Sequence, residues 1–501
     1  MARRPIVLIH GYSADGTAFD DWKTVLQRHG YEASDIHVLT YKSLTNEVSI
    51  DDIAEGLDRA LKSQIGLNKG EAFDAIVHST GMLVIRAWLT RFAARRQRLR
   101  HLIALAPATF GSPLAHKGRG YLGVVAKGNR TKGPDFREAG DLILDGLELG
   151  SRYTWELAHR DLLGESPRYD ETDKTPYVFT FCGTDGYDGF AGIVSEPGTD
   201  GTVRLAGCPL NTRKICLDLT RPHDEATEER ATVAEWSNTD IPLVPVRGLS
   251  HGTIMSEPSP KLVKLVVEAL GVDGADTYSR WLKRAKMHAD TVLNDTKLGL
   301  WQQLVFRVLD DRQDPVRDYI IEFMVKNDEG AWTPLSEVVS KLDMSVHTYT
   351  SDPSLRCFHI NLKGSPLLDH EIGLRLITSS GTELVAYRGY SQPGLDVSGE
   401  DSGDRWSATI DLTNLRNRFQ DQEVRFFHPF TTTLVEIHLD REPMPLDGFN
   451  DLSYFPDAPE RRAQQKAMEV AAALRQQRWD EARLKELMDL FQQQKGRATR
   501  D

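Results

Sequence analysis

The sequence predicts an α/β protein in two parts. A mostly parallel sheet with a helical cap occupies residues 1–272, and an all-β, sandwich-like unit occupies 301–445. Three observations predict this. Residues 5–270 alternate short apolar runs with segments of helical period, as parallel strands joined by crossover helices do. After Gly271 the pattern changes, and from Trp301 to about Arg441 strand-like runs are separated by turn residues. At 501 residues the chain also exceeds what one hydrophobic core serves.

Taken in order, "PIVLIHG" and "IHVLTY" read as the first strands, with a helix near 18–29 between them. Segment 50–65 has helical period and puts Ile53, Leu57, Leu61 and Ile65 on one stripe. "FDAIV", "HLIALAPA", "PYVFTFCG" and "PLVPV" complete a sheet of about six strands covered on both faces. An insertion at about 112–175 reads as helical, and its length suits a cap over a site. Residues 273–300 read as a linker helix. The all-β part is built from "LVFRVLD", "DYIIEFMVK", "LRCFHINLK", "EIGLRLIT", "ELVAYRG", "WSATIDL", "VRFFHPF" and "TLVEIHLD". Residues 446–501, rich in Ala, Arg, Gln, Glu and Leu, read as a helical tail.

Composition narrows the class. The chain is 40% hydrophobic and 27% charged, with a net charge of −12, which argues against a nucleic-acid binder. No apolar run approaches the roughly 20 residues that span a bilayer, and the N-terminal apolar run reads as a core strand rather than a signal peptide. A cytoplasmic location is expected, with signal-independent export as the alternative. Four cysteines form no disulfide framework; Cys208 and Cys216 flank a short loop and can pair, although free thiols are favoured. No Cys/His spacing for a metal and no Gly-rich phosphate loop is found, so neither a metal nor a cofactor is expected. Asp310, Asp311 and Asp314 stand close together, but lack the spacing of a calcium loop and read as a solvated turn.

The stretch "DAIVHSTGMLVIRAW" (Asp74 to Trp88) carries the chemistry. It starts as a buried strand and ends as a helix, with Ser79 at the bend and Gly81 two residues on, where the backbone is crowded. This resembles the nucleophile elbow of the α/β-hydrolase superfamily, in particular of bacterial lipases and esterases. Val77 occupies the position two before the serine, where the family's usual glycine is absent. "IVLIHGYS" resembles the family's His-Gly oxyanion loop, and "LAPATFGSPLAHKGRG" its pocket-lining entry to the cap.

The resemblance implies a serine nucleophile, Ser79, and an oxyanion hole from the backbone N–H groups of Tyr12 and Thr80. It orders the remaining members as acid and then histidine. His251, in "VPVRGLSHGTIMS", stands in the position of the base, unlike His116, His159 and His223. Asp200, in "EPGTDGTVRLAG", matches the family's Asp-Gly-x-Val acid, with Asp185 in "FCGTDGYDG" as the alternative. His10 is expected to hold its own loop, and His78 to point away from the site.

The implied activity is hydrolysis of carboxylic esters, of lipid or phospholipid acyl type. An acyltransferase with the same triad, or a binding protein on a hydrolase scaffold, is the alternative. "RAWLTRFAARRQRLRH" holds six arginines and reads as a solvated helix face. The basic and apolar cap sequence "HKGRGYLGVVAKGNRTKG" suits an amphiphilic ester and transient contact with a membrane surface. No partner of the all-β part is legible.

Overall fold

The computed structural model describes residues 4–443, apart from 13, 44, 64–70, 93–97, 118–139, 165–167, 170–174, 187–195, 221–230, 236–240, 295–297, 339–341, 369, 383, 390–396, 402–404 and 414–424. The expected helical tail, most of the basic cap sequence, Ile65 and His223 lie outside the described residues.

The first sheet is built from β1 (Ile6–Ile9), β2 (Ile36–Leu39), β3 (Phe73–His78), β4 (Leu99–Leu105) and β5 (Tyr177–Gly183). After them come β6 (Thr212–Asp218), β7 (Ala231–Glu235) and β8 (Leu243–Val246). Six of these strands lie parallel in the order β2-β1-β3-β4-β5-β8. They are the six runs picked out by apolar composition. β1 and β3 are wholly buried, because helices cover both faces.

Those helices are α1 (Asp20–Arg28), α2 (Ile50–Ser63) and α3 (Gly81–Arg91), then α4 (Pro113–Lys117), α5 (Asp141–Leu147) and α6 (Arg152–Asp161) from the segment between β4 and β5. After β8 follow α7 (Thr253–Ser256), α8 (Pro260–Leu270) and α9 (Ala275–Leu293). On α2 the stripe is as spaced: Ile53, Leu57 and Leu61 are buried. α9 does more than link. Tyr278, Trp281 and Ala285 enter the core of the first sheet, and the Trp281 indole N–H donates to Leu265 O at 3.0 Å.

The helix after the elbow departs from a solvated basic face at its first arginine. Arg86 is fully buried, and its guanidinium donates to both Asp161 oxygens, at 2.8 and 3.0 Å, and to Thr109 O at 2.8 Å. Tyr169 completes the cluster by donating to Asp161 Oδ2 at 2.8 Å. A charged pair in a dry seam between α3 and α6 fixes their register, because either partner alone would be stranded.

The C-terminal half contributes β9 (Trp301–Asp310), β10 (Asp318–Lys326), β11 (Trp332–Pro334), β12 (Met344–Thr348) and β13 (Leu355–Asn361). It continues with β14 (Ile372–Ser379), β15 (Val385–Arg388), β16 (Val397–Asp401), β17 (Arg405–Asp411) and β18 (Thr432–Pro443). One sheet runs β11-β10-β14-β17-β16 and is antiparallel throughout. The other runs β12-β13-β9-β18-β6-β7 and is mixed, with β18 parallel to both β9 and β6. Apolar residues of both sheets, among them Phe306, Phe323, Leu376, Trp406 and Ile437, form a second core between them.

Two details differ from the sequence reading. Strands β6 and β7, from the first half of the chain, belong to the second sheet. "VRFFHPF" contributes no described strand: Phe426 and Phe427 are both buried, which successive residues of a period-2 strand on a half-exposed sheet cannot be. Asp310, Asp311 and Asp314 make a capped turn. Asp310 Oδ1 accepts the N–H groups of Arg312 and Asp314 at 3.0 and 2.8 Å, and Asp311 Oδ1 accepts that of Arg441 at 3.2 Å. All four cysteines are thiols; Cys208 and Cys216 are not bridged. Among the described residues no helix is long and apolar enough to cross a membrane.

Asp161→Ala leaves the Arg86 guanidinium buried without its carboxylate. Urea unfolding should show a loss of about 3–5 kcal/mol; a loss below about 1 kcal/mol would mean the seam tolerates the charge.

Candidate active site

Ser79 sits where β3 turns into α3, with φ of 53°, a left-handed conformation that a serine adopts only when its surroundings enforce it. They do so by close packing. A Cβ on Gly81 would lie 2.5 Å from Ile9 O, so only glycine lets α3 start this near β1. Hydrogen bonds fix the turn from both sides: Ser79 N–H donates to Leu105 O at 3.2 Å, and Ser79 O accepts from Met82 and Ala108 N–H, both at 3.1 Å.

The His-Gly loop lies directly against the serine. A Cβ on Gly11 would stand 2.8 Å from Ser79 Cβ and 3.4 Å from its Oγ. His10 holds this loop: its Nδ1–H donates to Gly11 O at 2.8 Å, and its Nε2 accepts Tyr41 N–H at 3.4 Å. Those two bonds assign the neutral tautomer, and burial lowers the His10 pKa in agreement. Tyr12 follows Gly11 and is half-buried; burial, with Asp141 nearby, pushes its phenol up to about 12. Thr80 opens α3 and is wholly buried, and its main-chain N–H has no i−4 carbonyl to meet.

His251 stands between β8 and α7, and Asp200 in a tight loop closed by the Thr199–Arg204 bridge. The two side chains are brought together: His251 Nδ1–H donates to Asp200 Oδ2 at 2.9 Å. Their backbones meet as well, with His251 N–H on Asp200 O at 2.9 Å. The other carboxylate oxygen is occupied, since Asp200 Oδ1 accepts the N–H groups of Thr202 and Val203 at 3.0 and 2.8 Å. The acid is 1% exposed and the histidine 7%. With Nδ1–H committed to Asp200, Nε2 is left as the basic nitrogen.

Asp185 is placed otherwise. It is exposed, and its Oδ1 accepts Gly248 N–H at 3.2 Å and the Thr184 hydroxyl at 2.8 Å, which fastens the turn leading to His251. His78 also departs from expectation. It does not point away: its Nε2–H donates to His251 O at 3.0 Å, and the two rings pack 4.6 Å apart. Burial, and then the neighbouring His251, keep the His78 pKa well below its ordinary value.

Sequence reasoning missed the clamp on the acid loop. Arg204 is 1% exposed; it donates to Glu196 Oε2 at 2.9 and 3.2 Å, and reaches across to Gln303 Oε1 at 3.0 Å and Cys357 Sγ at 3.4 Å. On the other side Ser112 Oγ donates to Thr202 O at 2.6 Å, and the Thr109 hydroxyl to Cys208 O at 2.6 Å. No local signal marks Arg204, because most of these partners lie far off in sequence. A separate cavity of about 700 Å³ lies between α5 and α6 on one side and β9 on the other, lined by residues such as Asp51, Tyr153, Arg307, Arg317 and Leu355. Ser79, Asp200 and His251 do not line it.

A parallel sheet of this order, with a strained serine after its third strand and a His–Asp pair beyond its last strands, has the α/β-hydrolase fold. No family model and no curated protein matches the chain in sequence. Solved structures match it in fold. Phospholipase PlaB from Legionella pneumophila superposes with a TM-score of 0.70 at 21% identity, over 91% of this chain and 98% of that one. PlaB in complex with thio-NAD gives 0.69 at 21% identity, over 90% and 97%. Staphylococcus hyicus lipase also matches, at 13% identity over 57% of this chain and 97% of that one, but its TM-score of 0.33 carries no argument. At these identities the likeness to PlaB establishes the fold, across both halves of the chain.

The buried His78 gives the site a pH signature. Unfolded, it protonates near its ordinary 6.5; folded, only at lower pH. The resulting stabilisation is complete above 6.5 and lost as the pH falls. At pH 5.5 the loss is on the order of 1 kcal/mol for one such group. Urea midpoints at pH 7.5 and 5.5 should therefore lie closer together in His78→Gln than in the parent. An unchanged gap would show that His78 is not held neutral.

Proposed function

We propose that the protein is a serine hydrolase of carboxylic esters, acting through Ser79, His251 and Asp200. The observation that carries this reading is the buried His251–Asp200 hydrogen bond of 2.9 Å, in a chain whose Ser79 is forced to a φ of 53° at the elbow. Strain of that kind costs on the order of 1–3 kcal/mol and persists where a side chain must be presented.

In the proposed reaction Ser79 Oγ attacks the ester carbonyl while His251 Nε2 takes its proton. Asp200 holds the imidazole in the required tautomer and stabilises its protonated form. The oxyanion is met by the N–H groups of Tyr12 and Thr80, one on the loop against the serine and one at the start of α3. Collapse of the tetrahedral intermediate passes the His251 proton to the leaving alcohol. Water, deprotonated by the same nitrogen, then releases the acid and restores Ser79. The substrate we infer is an acyl ester of a lipid or phospholipid. It is supported by the PlaB-like fold over 91% of the chain and by the basic, apolar sequence at 116–133, which also suits brief contact with a lipid surface.

Hydrolysis of a p-nitrophenyl ester series and of phospholipid vesicles tests this reading. Ser79→Ala should abolish turnover and fluorophosphonate labelling. Asp200→Asn should lower kcat about 10⁴-fold, as loss of the orienting acid does, while Asp185→Asn retains most activity. Labelling that survives Ser79→Ala would reject the nucleophile, and a collapse in Asp185→Asn instead would reject the acid. An added alcohol that captures most of the acyl group would turn the reading towards acyl transfer.

A further inference from the structure

A second cluster of reactive side chains lies away from Ser79, on the seam where β6 joins β18. Cys216, Glu436 and His438 present one sulfur, one oxygen and one nitrogen that all lie within 4.8 Å of one another. Parallel register sets them there: Cys216 is opposite Glu436, and His438 follows two residues later on the same face of β18. His438 Nε2 stands 3.1 Å from Glu436 Oε1, and Gln313 Nε2 lies 3.4 Å from His438 Nδ1. Glu436 is 8% exposed, whereas Cys216 and His438 are half-buried, so the cluster is roofed on one side and reachable from the other.

We propose that Cys216, Glu436 and His438 form a binding site for a thiophilic divalent cation of the zinc type. The donor set decides the class. A thiolate and an imidazole favour Zn²⁺ over Mg²⁺ or Ca²⁺, which take oxygen ligands. A tetrahedral ion with bonds of about 2.0–2.3 Å needs its ligands closer than their present outer separation, so side-chain movement of about an ångström closes the site. Three protein ligands leave a fourth position for water.

A competitor is already present: Lys214 Nζ sits 2.9 Å from Glu436 Oε1, and Arg307 Nη1 is 3.8 Å from Oε2. Lys214 is partly exposed at the end of a flexible stem and can turn out to solvent. Its charge competes with the ion for Glu436 and weakens binding. The bound ion ties β6 to β18, two neighbouring strands of one sheet that lie more than 200 positions apart in sequence. Because it binds the folded seam and not the unfolded chain, it raises stability with ion concentration.

The test uses the full-length protein, with Zn²⁺ titrated calorimetrically and Co²⁺ as the spectroscopic probe. The expected result is one Zn²⁺ per chain, a Co²⁺ complex with a thiolate charge-transfer band, a Tm that rises with Zn²⁺, and no response to Mg²⁺ or Ca²⁺. Cys216→Ser and His438→Ala should each weaken Zn²⁺ binding at least tenfold and remove the Tm rise, their unliganded Tm reporting that they fold. Lys214→Gln should tighten binding several-fold by releasing Glu436. Absence of saturable binding, a Co²⁺ complex without the thiolate band, unchanged affinity in Cys216→Ser, or weaker binding in Lys214→Gln would each overturn the site.

Discussion

The Arg204 clamp is the constraint on which the rest of the arrangement depends. Asp200 belongs to no strand; it lies in a loop that the parallel sheet alone does not hold. Arg204, four residues on and fully buried, fixes that loop to Glu196 within it and to Gln303 and Cys357 in the second sheet. A guanidinium has five donors in a planar fork, and burying it is tolerable only when those donors are met by acceptors in fixed places. The second sheet is therefore part of the scaffold of the site. Its opposite face, away from the second core, enters the first core through Val305, Cys357 and Leu434, and a Cβ on Gly198 would strike Trp301 at 2.6 Å.

The His251–Asp200 pair is built on the same economy of polar groups. Asp200 Oδ1 is saturated by two backbone N–H groups, so only Oδ2 is available to the imidazole, and one tautomer follows. His10 and His78 are held neutral by burial on either side of the elbow, so no extra positive charge competes beside the serine. On the far seam the balance is reversed. Burial alone would raise the Glu436 pKa, but hydrogen bonds from His438 and Lys214 overcome it and hold the carboxyl at about 2.

Each surprise in the structure comes from contacts between residues distant in sequence. β6 is not among the runs picked out in the sequence, and it pairs in parallel with β18, more than 200 positions later. Cys216 and His438 have no local spacing that marks them as joint ligands, for the same reason. Arg86 reads as one of six surface arginines until Asp161 is folded onto it from α6. His78 reads as a buried bystander until the loop of His251 arrives over its ring.

The sequence by itself determined the parallel sheet, its six strands and the sharp turn at Ser79. Those follow from hydrophobic period, from strand and helix length, and from a glycine at the one position where a Cβ would meet Ile9 O. The motif resemblance also named His251 and Asp200, whose side chains the structure brings to 2.9 Å, because motif order survives without any contact being known. Only the tertiary structure sets Asp200 and Asp185 apart, by bringing the first alone against His251. Both stand in glycine-bearing loops in the first half of the chain, and their local chemistry is alike. The difference is where each loop is tied: Asp200 is carried inward by a clamp on the second sheet, while Asp185 stays exposed and fastens a turn. Side-chain pairing over such separations is fixed by packing, and packing is a property of the whole fold.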